Sequence, residues 1–201
     1  EDNQTLKGES MIGSAYANGS GGTARIKEVY LEPKNPPAHP EAVRAILEAD
    51  LIVLGPGSLY TSVMPNLLVE GIKRAILASA APKVYICNVA TQHGETDGFD
   101  VAAHVKAIED HIGKNAINYV LANDNVPDSI PKAPQSEAVR VDSQVNNGIR
   151  LVLADVISEE NRYHHDSAKV AQAVMRIYYD RDQVQPMAEL EPEEDLVAAN
   201  Q

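Results

Sequence analysis

The sequence has little of several residue types that define particular protein classes. It contains no tryptophan, one phenylalanine and a single cysteine, so no disulfide framework can form. CxxC and HExxH patterns are both missing, which argues against a structural zinc site. Because Cys87 lies within the apolar run Val84–Asn88, we expect it to pack in the core rather than act as a nucleophile.

Long apolar runs and basic residues are also scarce. No run approaches the ~18 residues of a membrane span, and the first residues do not form a basic-then-apolar signal segment. We therefore expect a cytoplasmic protein without a membrane span. With 17 basic against 29 acidic residues the net charge is -12, which excludes an extended nucleic-acid interface. Local amides and helix dipoles would have to hold any anionic ligand.

Apolar segments typical of buried strands alternate with segments of helical periodicity. The predicted strands are 51–54, 84–88, 119–122 and 151–155, with weaker candidates at 24–31 and 139–141. The predicted helices are 40–49, the segment after Asn66 that carries Ile72 and Ile76, a helix through Val101 and Ile112, and 168–178. This order predicts an α/β fold with a mainly parallel sheet flanked by helices. We expect one domain over 1–188, followed by an acidic, loosely docked tail at 189–201.

A glycine loop joins the first buried strand to the next helix. Gly55 and Gly57 bracket Pro56, so the backbone can turn sharply and approach a ligand closely. Hydroxyl-bearing residues follow where the helix should begin: Ser58, Tyr60, Thr61 and Ser62. Free amides, hydroxyls and the helix dipole could converge there on a phosphate. The alternative is a purely structural turn.

Polar loops follow the next two predicted strands. Asn88, Thr91 and Gln92 could contact a sugar or a base, and Asn123 follows the third strand. Glu95 and Asp97 could hold Mg²⁺, or this pair could be solvent-exposed, with Thr96 or Asp97 capping the next helix.

Histidines cluster before the last predicted helix. Arg162, His164 and His165 either form a surface turn or reach an anionic ligand, and Asp166 or Ser167 is expected to cap the helix. His104 and His111, on the preceding helix, are expected at the surface.

The combined motifs resemble the bacterial gluconeogenesis factor family (YvcK type), which is related to the 2-phospho-L-lactate transferases. The resemblance depends on residues 49–62 with 65–68, on Cys87–Asn88 with Thr91–Gln92, and on 94–98. Residues 29–33, His165–Asp166 and 169–171 extend it. It runs with interruptions from about Gly8 to Met175.

This resemblance implies a Rossmann-like protein that binds a sugar nucleotide such as UDP-N-acetylglucosamine and regulates carbon use, cell-wall synthesis and cell shape, without an assured catalytic activity. The alternative from the related branch is a magnesium-dependent transferase that moves a phospholactyl group to a deazaflavin precursor. We assign nucleotide or phosphate contacts to Gly55, Gly57, Ser58, Leu59, Tyr60, Thr61, Asn66, Asn88, Thr91, Gln92, Asn123 and His164, and we expect a homodimer.

Two departures from the family pattern affect this assignment. The family opens with a glycine-rich strand-turn-helix that contributes to the nucleotide site, and nothing in this sequence matches that unit. We therefore expect that part of the pocket is absent from this chain, which could be a piece of a longer protein. His164 also stands where the family commonly has arginine.

Overall fold

A computed structural model describes residues 5, 7–8, 26–126, 135–145 and 148–180. Within these ranges the helices are α1 (Pro40–Leu47), α2 (Met64–Leu67), α3 (Glu70–Ala78), α4 (Val101–Ile112) and α5 (Ser167–Asp180), with one π-helical segment at Leu59–Val63. The strands are β1 (Ile52–Leu54), β2 (Lys83–Ile86), β3 (Tyr119–Asn123) and β4 (Arg150–Ala154). The predicted tail at 189–201 lies outside the described residues, and so does Asn147 of the predicted turn at Asn147–Gly148.

All four strands are parallel and lie in the order β1-β2-β3-β4. The register places Leu54 beside Tyr85, Ile86 beside Leu121, and Asn123 beside Ala154. Every residue of β2 and β3 is buried, as expected for parallel strands that are covered on both faces. The predicted Rossmann-like α/β fold with a parallel sheet and flanking helices is confirmed.

Helices cover both faces of this sheet. Val84 and Ile86 of β2 pack with residues of α5, including Val174, on one face. Tyr85 points to the opposite face, where it joins a core that includes Ile108 of α4. The alternation along β2 therefore distributes its side chains between two cores.

Three predicted strands need correction. The strand that begins at Ile52 is an edge strand of the described sheet rather than a central one, and Val53 is 41% exposed. Residues 26–31 form no strand, although Ile26 and Val29 pack against the core. Residues 139–141 also form no strand. An isolated antiparallel pairing of Ala90 with Ala138 lies beside them, and the N–H of Val139 donates to the carbonyl of Val89 at 3.0 Å.

Acidic side chains fix the start of the two longest helices. Asp100 accepts a 2.7 Å hydrogen bond from the backbone N–H of Ala103 and is therefore the cap of α4. The prediction that Thr96 or Asp97 caps this helix is wrong. The predicted cap of α5 is confirmed, since Asp166 accepts a 2.9 Å hydrogen bond from the N–H of Lys169. None of the helices in the described ranges has the length and apolar character that a membrane crossing demands.

Candidate functional site

The carboxyl ends of the strands meet at one edge of the sheet. Gly55 directly follows β1, Asn88 lies two residues beyond β2, and Asn123 ends β3. Because these strands are parallel and adjacent, the three positions share this rim. A cleft of about 490 Å³ opens there between the glycine loop, the segment after β2 and the residues that precede α5.

The cleft brings together half of the residues that the sequence assigned to ligand binding. These are Gly57, Ser58, Asn88, Thr91, Gln92 and His164. Ser136, Tyr163, His165 and Ser167 also line it. Sequence reasoning missed Ser136 and Tyr163, because neither lies at the end of a strand and no motif marks them.

The glycine loop has the close backbone approach that its sequence predicts. Gly55 has φ +84°, and a Cβ atom at this position would lie 3.2 Å from the carbonyl oxygen of Ile86. The chain then turns into the π-helical segment, where the N–H groups of Ser62 and Val63 both donate to the carbonyl of Ser58 at 2.9 Å. The first N–H groups of such a segment have no partner within it and are available to an anion.

Other assigned residues lie behind the cleft instead of on its wall. Leu59 is fully buried, and Tyr60 is buried with its ring edge-on to those of Phe99 and His111. Burial, with smaller contributions from Asp110 and Glu95, raises the pKa of the Tyr60 hydroxyl. These side chains hold the helical segment against the core.

The side chains of Asn66 and Asn123 form hydrogen bonds with backbone groups. Asn66 donates to the carbonyl of Ser62 at 2.8 Å. Asn123 donates to the carbonyl of Asn125 at 2.9 Å and accepts from the N–H of Val156 at 3.1 Å. The Asn123 amide therefore ties the end of β3 to the segment after β4 and is not part of the cleft wall.

Two side-chain hydrogen bonds join the glycine loop to the loop after β2. Gln92 Nε2 donates to Ser58 Oγ at 2.8 Å, and Thr61 Oγ1 donates to Glu95 Oε1 at 3.1 Å. The paired residues are three positions apart on both segments. The two bonds brace one turn against the other.

The carboxylates proposed to hold Mg²⁺ have structural partners. Asp97 accepts from the N–H of Gly94 at 2.7 Å and lies 3.1 Å from His93 Nδ1, while Glu95 holds Thr61. Across the described part of the chain, no group of three or more His, Cys, Asp or Glu residues is placed to hold a metal ion. This geometry gives a magnesium ion no ready-made protein cage.

The His165 side chain, just before α5, has a defined orientation. His165 Nε2 donates to the carbonyl of Cys87 at 3.1 Å, so the Nδ1 atom of the neutral ring is an acceptor. Burial lowers the pKa of His165, which the Cys87 carbonyl partly opposes, and neighbouring His164 lowers it further. His164 itself is exposed at the cleft.

The surface position expected for the two histidines of α4 is wrong for His104 and holds only in part for His111. His104 is fully buried, donates from Nδ1 to the carbonyl of Asp100 at 2.8 Å, and packs its ring against Phe99. Burial lowers the pKa of His104. His111 is half-buried and bridges the carbonyl of Ala107 and the N–H of Val29. Their spacing on the apolar side of α4 was the signal for burial.

Cys87 is buried, as the sequence predicted. Burial raises the pKa of its thiol far above the ordinary value, although the neighbouring Tyr85 hydroxyl acts in the opposite direction. The thiol therefore stays protonated and contributes to packing.

The charge of the cleft differs from that of the whole chain. The chain has a net charge of -12, but none of the described residues that line the cleft is an aspartate or a glutamate. Its wall combines backbone, hydroxyls, carboxamides and two imidazoles, and the first residue of α5, Ser167, lies on it. The positive end of the α5 dipole thus faces the same space. This arrangement can accept an anion.

Among known proteins, the chain is similar to bacterial gluconeogenesis factors. It is 41% identical over 183 residues to the gluconeogenesis factor of Listeria monocytogenes, covering 87% of this chain and 53% of that protein. It is 40% identical over 178 residues to the gluconeogenesis factor of Bacillus subtilis, covering 85% of this chain and 54% of that protein. The chain thus spans about half the length of these relatives.

A solved structure has the same fold. A crystal structure of a member of the UPF0052 family from Bacillus halodurans matches with a TM-score of 0.76 and 39% identity, covering 87% of this chain and 56% of that one. The family described as 2-phospho-L-lactate transferase CofD matches residues 1–159. The motif resemblance is therefore confirmed, and the chain belongs to the CofD family.

Proposed function

We propose that the cleft binds a sugar nucleotide of the UDP-N-acetylglucosamine type, and that binding rather than turnover is its function. The observation that carries this proposal is the composition of the wall: none of its described residues has a carboxylate side chain, although the chain is acidic. An anionic diphosphate would meet less repulsion there than over a surface rich in carboxylates.

The parts of the cleft suit different parts of such a ligand. Gly57 and Ser58 would contact the diphosphate with backbone N–H groups and a hydroxyl. Asn88, Thr91 and Gln92 would face the sugar or the base, and His164 would offer its imidazole as a hydrogen-bonding group at the rim of the cleft. Gly55 would act indirectly by shaping the loop, while Leu59, Tyr60, Thr61, Asn66 and Asn123 would keep it in place.

The role of the whole protein is part of the same proposal. We infer a cytoplasmic regulator that links sugar-nucleotide levels to gluconeogenic carbon use, cell-wall synthesis and cell shape, and that acts as a homodimer. The name shared by the relatives supports the connection to gluconeogenesis. Analytical ultracentrifugation of the chain would test the dimer, and a single monomer-sized species would contradict it.

The transferase description of the family supports a second candidate. A phospholactyl transferase would use Mg²⁺ with Glu95 and Asp97, but these carboxylates brace the loop and do not line the cleft. Incubation with guanylated phospholactate, a deazaflavin acceptor and Mg²⁺ distinguishes the candidates. Product formation would favour the transferase over the binding protein.

Isothermal titration with UDP-N-acetylglucosamine tests the binding proposal. Ser58→Ala removes one hydrogen bond to a charged group, so we expect affinity about 10- to 100-fold weaker than for the unaltered chain. Ser62→Ala is the matched control, because Ser62 is exposed and does not line the cleft. No saturable binding by the unaltered chain, or equal losses in the two variants, would contradict the proposal.

A further inference from the structure

The Ser58 hydroxyl has a defined polarity in this structure. Ser58 Oγ accepts a hydrogen bond from Gln92 Nε2 at 2.8 Å. A hydroxyl that accepts from an N–H group keeps its own hydrogen for another acceptor. Since Ser58 lines the cleft, its O–H group can donate to a ligand there.

The Gln92 carboxamide could in principle set the opposite polarity. If its two terminal atoms were exchanged, Oε1 would take the Ser58 hydrogen and leave only lone pairs for a ligand. In the observed orientation Oε1 is buried, and no group in the described part of the chain hydrogen-bonds to it. A buried acceptor without a partner costs free energy, so the surroundings of Oε1 do not stabilise this orientation of the Gln92 carboxamide. The orientation leaves the Ser58 hydrogen available to a ligand, and an anionic group is the ligand that such a donor binds most strongly.

We propose that Gln92 is a positioning residue that presents the Ser58 hydroxyl as a hydrogen-bond donor and thereby makes the cleft selective for an anionic group. This inference rests on the proposed function and specifies how that site recognises its ligand. Gln92 acts through Ser58, so its effect on affinity depends on the Ser58 hydroxyl.

The second bond between the two loops provides a structural comparison. Thr61 Oγ1 donates to Glu95 Oε1 at 3.1 Å, but neither residue lines the cleft. If Gln92 only braced the loops, loss of the Thr61 bond would have a similar effect on binding. If Gln92 sets the polarity of Ser58, the two losses differ.

The test is a titration series with UDP-N-acetylglucosamine and, separately, inorganic pyrophosphate. Gln92→Glu supplies only acceptors to Ser58, so the hydroxyl donates to the new carboxylate and its lone pairs face the ligand. We expect affinity for both probes to fall about 30-fold or more, since a charge-assisted bond is lost and a charge is added. Thr61→Val removes only a brace between the loops, so we expect it to weaken affinity less than Gln92→Glu does, and by the same factor whether or not Ser58 is alanine.

A double-variant cycle separates polarity from added charge. In a Ser58→Ala background, Gln92→Glu should cost about tenfold less than it does in the unaltered chain, because the hydroxyl is already gone. Equal losses in the two backgrounds would overturn the inference. Gln92→Met provides a neutral variant of similar volume in case Gln92→Glu does not fold. It should weaken binding about 3- to 10-fold, and an unchanged affinity would also overturn the inference.

The outcomes distinguish this inference from the proposed function. If the unaltered chain binds UDP-N-acetylglucosamine and Ser58→Ala weakens binding, but the Gln92 variants bind normally, only the role of Gln92 is wrong. If the unaltered chain binds neither probe, the proposed function fails and the inference fails with it.

Discussion

His165 Nε2 donates a hydrogen bond to the carbonyl oxygen of Cys87 at 3.1 Å, across a separation of 78 positions in the chain. The carbonyl follows β2 and the imidazole precedes α5, so this one contact joins two segments that line the cleft. It also fixes the neutral ring with Nδ1 as the acceptor.

Loss of this contact should reduce stability. We expect His165→Ala to lower the free energy of unfolding by about 1–3 kcal/mol, because the Cys87 carbonyl loses its donor. Urea denaturation followed by circular dichroism measures the change. His164→Ala is the control and should stay within about 0.5 kcal/mol, since His164 is exposed. Equal losses in the two variants would show that the contact does not stabilise the fold.

Stability should also fall under mildly acidic conditions. Burial lowers the pKa of both His104 and His165 below the ordinary value of 6.5. The unfolded chain therefore binds more protons than the folded chain as pH falls through and below 6.5, and the stability present above that pH is lost. We expect a lower Tm at pH 5.5 than at pH 7.5, with a smaller difference in His165→Ala. A Tm independent of pH in this window would contradict the burial of neutral imidazoles.

Gly55 should resist substitution more strongly than a glycine with similar backbone geometry but open surroundings. Gly55→Ala places a Cβ 3.2 Å from the Ile86 carbonyl oxygen at φ +84°, whereas Gly98 has φ +68° and nothing within 4 Å. We expect losses of about 2 kcal/mol for Gly55→Ala and about 1 kcal/mol for Gly98→Ala in urea denaturation. Equal losses would mean that backbone strain alone, without close approach to β2, determines the requirement for glycine.

The start of α4 should depend on Asp100. Asp100→Ala removes the 2.7 Å hydrogen bond to the N–H of Ala103, and we expect a loss of about 1 kcal/mol in thermal or urea denaturation. Asp110→Ala is the control on the same helix, because Asp110 is in an exposed ion pair with Lys106 and its loss should cost less than about 0.5 kcal/mol. A negligible effect of Asp100→Ala would contradict its role as the cap.

Sequence patterns predicted the order of the elements because parallel strands buried on both faces are continuously apolar, as 84–86 and 119–122 are. The same rule predicted that Gly55, Asn88 and Asn123 share a rim. The edge position of β1 was not predicted, since three residues with apolar side chains look alike whether or not a neighbour covers them. Residues 139–141 were mistaken for a strand because β-branched Val139 and Val141 suit one, but the pairing beside them is an isolated bridge between Ala90 and Ala138.

The candidate site was only partly predictable for a related reason. The position of a residue after a strand indicates that its side chain reaches the rim. It does not indicate whether that side chain faces the cleft or hydrogen-bonds to the backbone. Asn88 lines the cleft, whereas the side-chain amide of Asn123 hydrogen-bonds to the backbone of Asn125 and Val156. Ser136 reaches the cleft from a distant segment, and only the folded chain brings it there.

The most direct test of the account is a ¹H–¹⁵N NMR titration of the unaltered chain with UDP-N-acetylglucosamine. We predict saturable shifts of backbone amides that line the cleft, foremost Gly57, Ser58, Gln92 and His165, with little change along β4. Shifts confined to other surfaces, or none at a saturating excess of ligand, would show that the cleft at the carboxyl ends of the strands is not a sugar-nucleotide site.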